Sequence, residues 1–322
     1  MKKLLFLSIF VFSLTGVVLS QSIGENLQKV GAVYSAMYLQ SFADALGTNL
    51  NSNYFYSAYV PFDKKKPITP HVGFRIRMMG TFLSDADQKF NYSYRDYGNT
   101  GGGLVMGTYR VVNAPTVLGD KTPAVAKFYD DNGNYYPVND YTLIGGVINT
   151  KTVPFAMPEI TFGSLYGTDA SFIILPPVNI SNNVGKFSIY GFTIRHNLSH
   201  YLKKSPVDFA VQGGYQKMYL TESNNNDLWK STNFFVNGQV SKTYKFVTGY
   251  AALQYETYTA DINYIQTGLT TAPKTIAFSL TGNNRFRGVI GAAVRAGFFV
   301  FNLDANIGNR FALSAGMNFI IL

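Results

Sequence analysis

The chain has 322 residues, of which only 14% are charged, against about 25% in an average soluble protein. It is rich in aromatics, with 23 Tyr and 26 Phe but one Trp, and its 27 Lys and Arg exceed its 18 Asp and Glu to give a formal net charge of +9. It has no cysteine, which excludes a disulfide scaffold and thiol catalysis; its dispersed positive charge, on a chain with an export pattern and no nucleic-acid motif, argues against nucleic acid as a partner.

Lys2 and Lys3, the apolar run from Leu4 to Val18, and the step Val18-Leu19-Ser20 before Gln21 form the pattern of a cleaved secretory signal peptide over residues 1–20. The run falls short of the roughly 20 apolar residues of a spanning helix, and no later stretch comes near that length. Cleavage would also remove Lys2 and Lys3 from the positive excess. If the remainder lives in a membrane, it must do so as a closed barrel, because backbone groups in lipid have to be paired within the protein.

Residues 21–52 read as an amphipathic helical segment. Leu27, Val30, Val33, Tyr34, Met37, Tyr38, Phe42 and Leu46 recur at spacings of three and four, and Gly47 suits a C-cap. The expectation is a lumen plug that presents Tyr34, Met37, Tyr38 and Phe42 to a solute or to the wall, with a helix outside the lumen as the alternative.

From residue 53 the periodicity is that of strands. The first candidates are 54–60, 69–83, 88–97, 102–112, 123–129, 141–149, 155–163 and 169–176. Between the first two, Lys64-Lys65-Lys66 reads as a solvated turn or as a basic rim meeting anionic lipid head groups. Arg75 and Arg77 share one side of their strand, opposite Phe74, Ile76 and Met78. A second, more regular set follows at 186–196, 206–220, 231–242, 246–260, 274–281, 284–296, 298–307 and 310–321, with Asn-rich and Gly-Asn turns between. In the last of these Phe311, Leu313, Ala315, Met317, Phe319 and Ile321 alternate with Ala312, Ser314, Gly316 and Asn318. Arg285, Arg287 and Arg295 likewise oppose Phe286, Ile290 and Val294, and Asn302 and Asp304 oppose Phe301 and Leu303.

Alternation alone fits a soluble sandwich or a membrane barrel. Low charge, abundant Tyr and Phe, and the export pattern favour the barrel. The predicted fold is therefore all-β: an antiparallel transmembrane β-barrel over residues 53–322, of about 12–16 strands with 14 as the best figure. An arginine facing mid-bilayer would cost about 2–4 kcal/mol. Arg75, Arg77, Arg285, Arg287 and Arg295, with Asn302 and Asp304, are therefore expected to line a polar lumen.

Two groups of residues carry a family likeness. Tyr38 to Gly47 followed by Leu50-Asn51-Ser52, and then Met157-Pro158-Glu159-Ile160, Gly167-Thr168-Asp169, Leu175-Pro176-Pro177, Gly191 to His196 and Val211 to Tyr215, resemble in the same order an uncharacterised (DUF6588-like) family of bacterial outer-membrane barrels. In plan, a helical segment before a mid-sized barrel, the chain is also similar to the long-chain fatty-acid transporters. The resemblance implies the outer membrane as location, with its lipid, lipopolysaccharide and the barrel-assembly machinery as partners. The final Leu322 departs from the aromatic ending usual in such barrels, Phe319 lying three positions earlier.

Site chemistry is sparse. His196 and His200 flank Ser199 in what reads as a polar turn, without a third metal ligand or an acid partner nearby, and His71 stands alone. No catalytic, metal or cofactor site is expected, and the chain is not expected to be an enzyme. The function expected is passive uptake or binding of small hydrophobic or amphiphilic solutes, with arginines pairing an anionic head group. The alternative is a non-transporting surface anchor whose loops at Asp130 to Tyr136 and Thr221 to Trp229 bind a protein or a glycan; a lesser alternative is an interfacial lipid-modifying enzyme.

Overall fold

The computed structural model describes residues 21–62, 68–181, 185–202, 205–221, 227–266 and 274–321. The signal-peptide pattern at 1–20, the lysine run at 64–66, the Asn-rich turns at 182–183 and 224–226, and Leu322 lie outside them.

The chain opens with helix α1 (Gln21–Leu50), kinked at Gly31, whose φ of 74° suits a residue without a Cβ. An extended segment, residues 51–62, leads to β1 (Ile68–Phe82). Residues 83–151 then form an insert with its own sheet of β2 (Lys89–Asn99), β3 (Leu104–Pro115), β4 (Val125–Asp130) and β5 (Tyr141–Thr142). The main sheet resumes with β6 (Thr152–Leu165), β7 (Thr168–Ser181), β8 (Gly185–Asn197), β9 (Asp208–Thr221), β10 (Asp227–Tyr244) and β11 (Val247–Gln266). It ends with β12 (Lys274–Thr281), β13 (Phe286–Ala296), β14 (Phe299–Ile307) and β15 (Phe311–Ile321).

Every neighbour in the main sheet is antiparallel, β15 pairs with β1, and the ladder between β10 and β11 closes the sheet on itself. β12 and β13 both lie along β11 and serve as two halves of one wall strand, so the ring has ten strands. The expected count of about 14 is corrected for two reasons. Four of the short alternating segments make the separate insert sheet. The 54–60 segment, alternating in sequence, is extended but joins no ladder, and of 141–149 only Tyr141–Thr142 is strand.

The barrel is apolar outside and polar within. Phe74, Met78, Phe192, Phe234, Ile290, Phe301 and Leu313 are exposed on its outer face, whereas Arg77, Gln216, Asn233, Glu256, Asn306 and Ser314 are buried on the inner one. A soluble sandwich distributes these residue types the other way round, with its apolar set between the sheets.

Its two ends differ. At one, β6–β7, β10–β11 and β13–β14 are joined by tight turns and β8–β9 by the connection at 198–207, and β15 finishes there; at the other, β14–β15 is a short turn but β1–β6 carries the insert at 83–151. There the first half of α1 docks against the insert. Tyr34 packs on Phe90 and Tyr92 with ring centroids 5.0 and 5.7 Å away, Tyr38 donates its hydroxyl to Gly145 O at 2.9 Å, and Val117 N donates to Tyr38 O at 3.0 Å.

Candidate functional site: a gripped strap in the lumen

The second half of α1 enters the barrel mouth. Phe42 meets Trp229 edge-on at 5.6 Å, and Asp44 accepts hydrogen bonds from Asn283 N and Arg310. Gly47 is no C-cap, since the helix runs on to Leu50; a Cβ there would fall 2.6 Å from the Tyr258 ring. Tyr34, Met37, Tyr38 and Phe42 therefore do not form the plug. Tyr34 and Tyr38 are buried against the insert, Phe42 lies at the mouth, and Met37 is half-buried.

The last helical turn and the strap that follows run through the lumen and leave a cavity at its tight-turn end. Among the described residues this strap pairs with no strand, and wall side chains take up its backbone groups. Leu50 O accepts from Gln216 Nε2 at 3.1 Å, Asn51 O from Gln254 Nε2 at 2.8 Å, and Ser52 O from Arg77. Further along, Phe55 O accepts from Arg75 at 3.3 Å, Ser57 O from Arg195 at 2.8 Å, and Val60 O from Asn197 at 2.9 Å, while Ala58 N donates to Ser241 Oγ at 2.9 Å. Side chains of the last helical turn and the strap reach the wall as well: Asn49 donates to Val153 O at 2.7 Å and Asn53 to Asp304 at 3.2 Å. With Arg287 donating to Thr48 O at 3.1 Å, the contacts come from β1, β6, β8, β9, β10, β11, β13 and β14. The strap also stacks Tyr54 on Phe235 at 3.8 Å, and the Arg77 guanidinium lies 3.9 Å from the Tyr54 ring.

Two buried ion pairs hold two of the gripping arginines. Arg77 lies 3.2 Å from Glu159, and Arg287 2.6 Å from Glu256, with both members of each pair almost fully buried. Burial of such charges is tolerated only where each is paired and hydrogen-bonded. Glu256 also accepts from Asn284 and Gln254. Asp304 accepts from Asn53, Tyr250, Asn302 and Asn306, so the expected lumen residues Asn302 and Asp304 form one network with the strap.

The structure puts Arg75, Arg77 and Arg287 in the lumen and Arg295 beside a cavity at the tight-turn end. Arg285 departs from the expectation and is exposed. Between β12 and β13 the register against β11 shifts by one residue, Thr281 facing Thr259 but Phe286 facing Tyr255. Asn284 and Arg287 both point inward, which leaves Arg285 and Phe286 together on the outside, as a bulge does. Sequence reasoning missed Gln212, Gln216, Gln254 and Ser241; their signal was a polar side chain at the inward parity of otherwise apolar strands.

The histidine turn is built as a turn. Ser199 Oγ accepts from Phe209 N at 2.7 Å, His196 Nδ1 meets Thr168 Oγ1 at 2.8 Å, and His200 stacks on Phe62 at 4.1 Å. Among the described residues no group of three or more His, Asp or Glu is arranged for a metal ion.

The fold and its contents define a closed, inside-out antiparallel β-barrel plugged by its own N-terminal segment. The chain belongs to the DUF6588 family, a family of unknown function, whose sequence model matches residues 1–321. No curated protein matches it. Among solved structures it is similar to the transport unit of the autotransporter AIDA-I from Escherichia coli, at 10% identity and a TM-score of 0.27 over 87% of this chain and 97% of that one. It is also similar to OmpF of Salmonella typhi in complex with daunomycin, at 12% identity and a TM-score of 0.21 over 79% and 97%. A third is the translocator domain of the autotransporter NalP from Neisseria meningitidis, at 9% identity and a TM-score of 0.24 over 89% and 96%. The barrel assignment rests on ring closure and the inverted polarity of its faces.

Proposed function

We propose that this protein is a sealed outer-membrane barrel that anchors and displays the α1 and β2–β5 assembly, and not an open path for passive uptake. The apolar outer face suits lipid, and a polar inner face is tolerated because it is spent on the strap. In outer-membrane barrels tight turns face the periplasm and longer connections face outward. On that rule the insert and the helix docked to it stand outside the cell, where the Tyr-rich loop from Asp130 to Tyr136 would meet a protein or a glycan.

The observation that carries this reading is the grip on the last helical turn and the strap by eight of the ten wall strands, β7 and β15 being the others among the described residues. Passive uptake of a hydrophobic or amphiphilic solute would require those bonds to break together and leave Arg77, Glu159, Arg287 and Glu256 without the surroundings that satisfy them. Single-channel recording of the purified protein in a planar bilayer tests the proposal. The intact protein should give no steady current, and a variant lacking residues 21–62 should open in discrete steps. A steady current from the intact protein would overturn it.

A further inference from the structure

Beside the strap, at the tight-turn end of the barrel, lies a cavity of about 570 Å³, within the range of small-molecule sites. Its charged lining sorts into spent and unspent groups. Glu159 is held by Arg77, and Asp169 by Arg195 at 2.6 Å with His71 at 3.4 Å. Among the described residues that leaves Arg75, Lys245 and Arg295 against the single carboxylate of Asp208. None of these three cations has a carboxylate within 4.0 Å among the described residues.

Arg75 is the most telling of them. It is 4% exposed, its Nε has no hydrogen-bond partner among the described residues, and its guanidinium is otherwise met only by Asn53, Phe55 O and the Tyr56 ring at 5.7 Å. Glu159 stands opposite Arg75 in the β1–β6 ladder but is in contact with Arg77, so Arg75 touches no carboxylate of its own, and an added anion would offset the cost of its burial. Arg295 and Lys245 stand exposed near the ends of β13 and β10, where the tight turns begin, so positive charge leads from the opening to a buried cation at the floor. Phe246, Val300 and Ile320 give the same cavity an apolar side.

We propose that this cavity is a binding site for a small organic acid, whose carboxylate pairs with Arg75 and Arg295 while a short hydrocarbon part lies against Phe246, Val300 and Ile320. Paired guanidinium groups suit an oxyanion because their N–H donors match its geometry.

Calorimetric titration of the folded protein in detergent tests this with three probes: hexanoate, inorganic phosphate and hexanol, each against a protein-free detergent blank. Saturable binding of hexanoate, with hexanol at least about tenfold weaker, is the expected result. The double variant Arg295→Gln/Lys245→Gln alters only exposed side chains and should weaken hexanoate about tenfold while keeping the heat-dependent electrophoretic shift of a folded barrel. Arg75→Gln, checked by the same shift, should abolish binding. Hexanol binding as well as hexanoate, no saturable binding of hexanoate, or binding indifferent to both variants would each overturn the proposal. Phosphate alone binding would overturn the organic-acid assignment. The readout is independent of conductance, so it fails or stands apart from the sealed-barrel reading.

Discussion

Glu256 and Arg287 meet at 2.6 Å on neighbouring wall strands, each about 1% exposed, and the same guanidinium continues to Thr48 O and Asn306 on either side. Wall, ion pair and strap thus form one unit. Removing either charge strands the other in a buried site, which typically costs about 3–5 kcal/mol, whereas removing both can be nearly neutral. Arg287→Leu and Glu256→Leu should each lower the urea midpoint of heat-modifiable protein, and the double variant should recover most of the loss. Additive losses in the double variant would show that the two residues act separately.

The strap can be locked without disturbing other chemistry, because the chain has no cysteine of its own. Ser57 Oγ and Ser241 Oγ lie 3.4 Å apart, close enough for a disulfide in Ser57→Cys/Ser241→Cys. Oxidised and reduced forms should both be silent in a bilayer. A current that appears only on reduction would mean that the strap leaves the lumen during function.

Close packing at the mouth makes Gly47 sensitive. The Tyr258 ring that a Cβ would strike is itself buried and accepts a hydrogen bond from Trp229 Nε1 at 3.2 Å, so it has little room to move. Gly47→Ala should destabilise by about 1–3 kcal/mol, the range for forcing extra atoms into a packed site. Thermal unfolding followed by circular dichroism measures it; an unchanged midpoint would mean that the ring swings aside.

Much of this architecture could be read from the sequence where one physical rule acted alone. From β13 to β15 the two faces meet opposite environments, so Phe301, Leu303 and Leu313 alternate with Asn302, Asp304 and Ser314, and the expected spans match to within a few residues. Arg285 failed because a bulge resets the parity within a run that otherwise alternates. The Tyr54 to Val60 segment failed because an extended chain gripped by side chains and one paired in a ladder share the period of two. The insert escaped notice for a related reason: Phe90, Tyr92 and Tyr94 face a small core against α1 while Asn91, Ser93 and Arg95 face out, which is the same pattern that a wall strand shows. Its separateness lies in pairings distant in sequence, such as Val117 N with Tyr38 O, which no local pattern encodes.

The last prediction concerns the loop offered to partners. Asp130 organises it: Oδ1 accepts from Asn132 N at 3.0 Å and Asn134 N at 2.8 Å, and Oδ2 from Asn134 Nδ2 at 3.0 Å and Tyr136 Oη at 3.2 Å. The Asn134 side chain, with the neighbouring donors, holds this carboxyl below its ordinary value. A carboxyl depressed on folding favours the ordered loop above its unfolded pKa of about 3.9, and that contribution is lost as pH falls through the lower folded value. Amide protection at Asn132 and Asn134, the observed exchange rate divided into the intrinsic rate at each pH and followed by NMR or mass spectrometry, should therefore be highest at neutral pH and fall in acid. Asp130→Ala should lose this protection at every pH, and a partner that reads the ordered loop should lose affinity for it. Equal protection in the variant would mean that Tyr135 and Tyr136 hold the loop by packing alone, and would move the search for the recognition surface to the exposed β3 face around Met106 and Arg110.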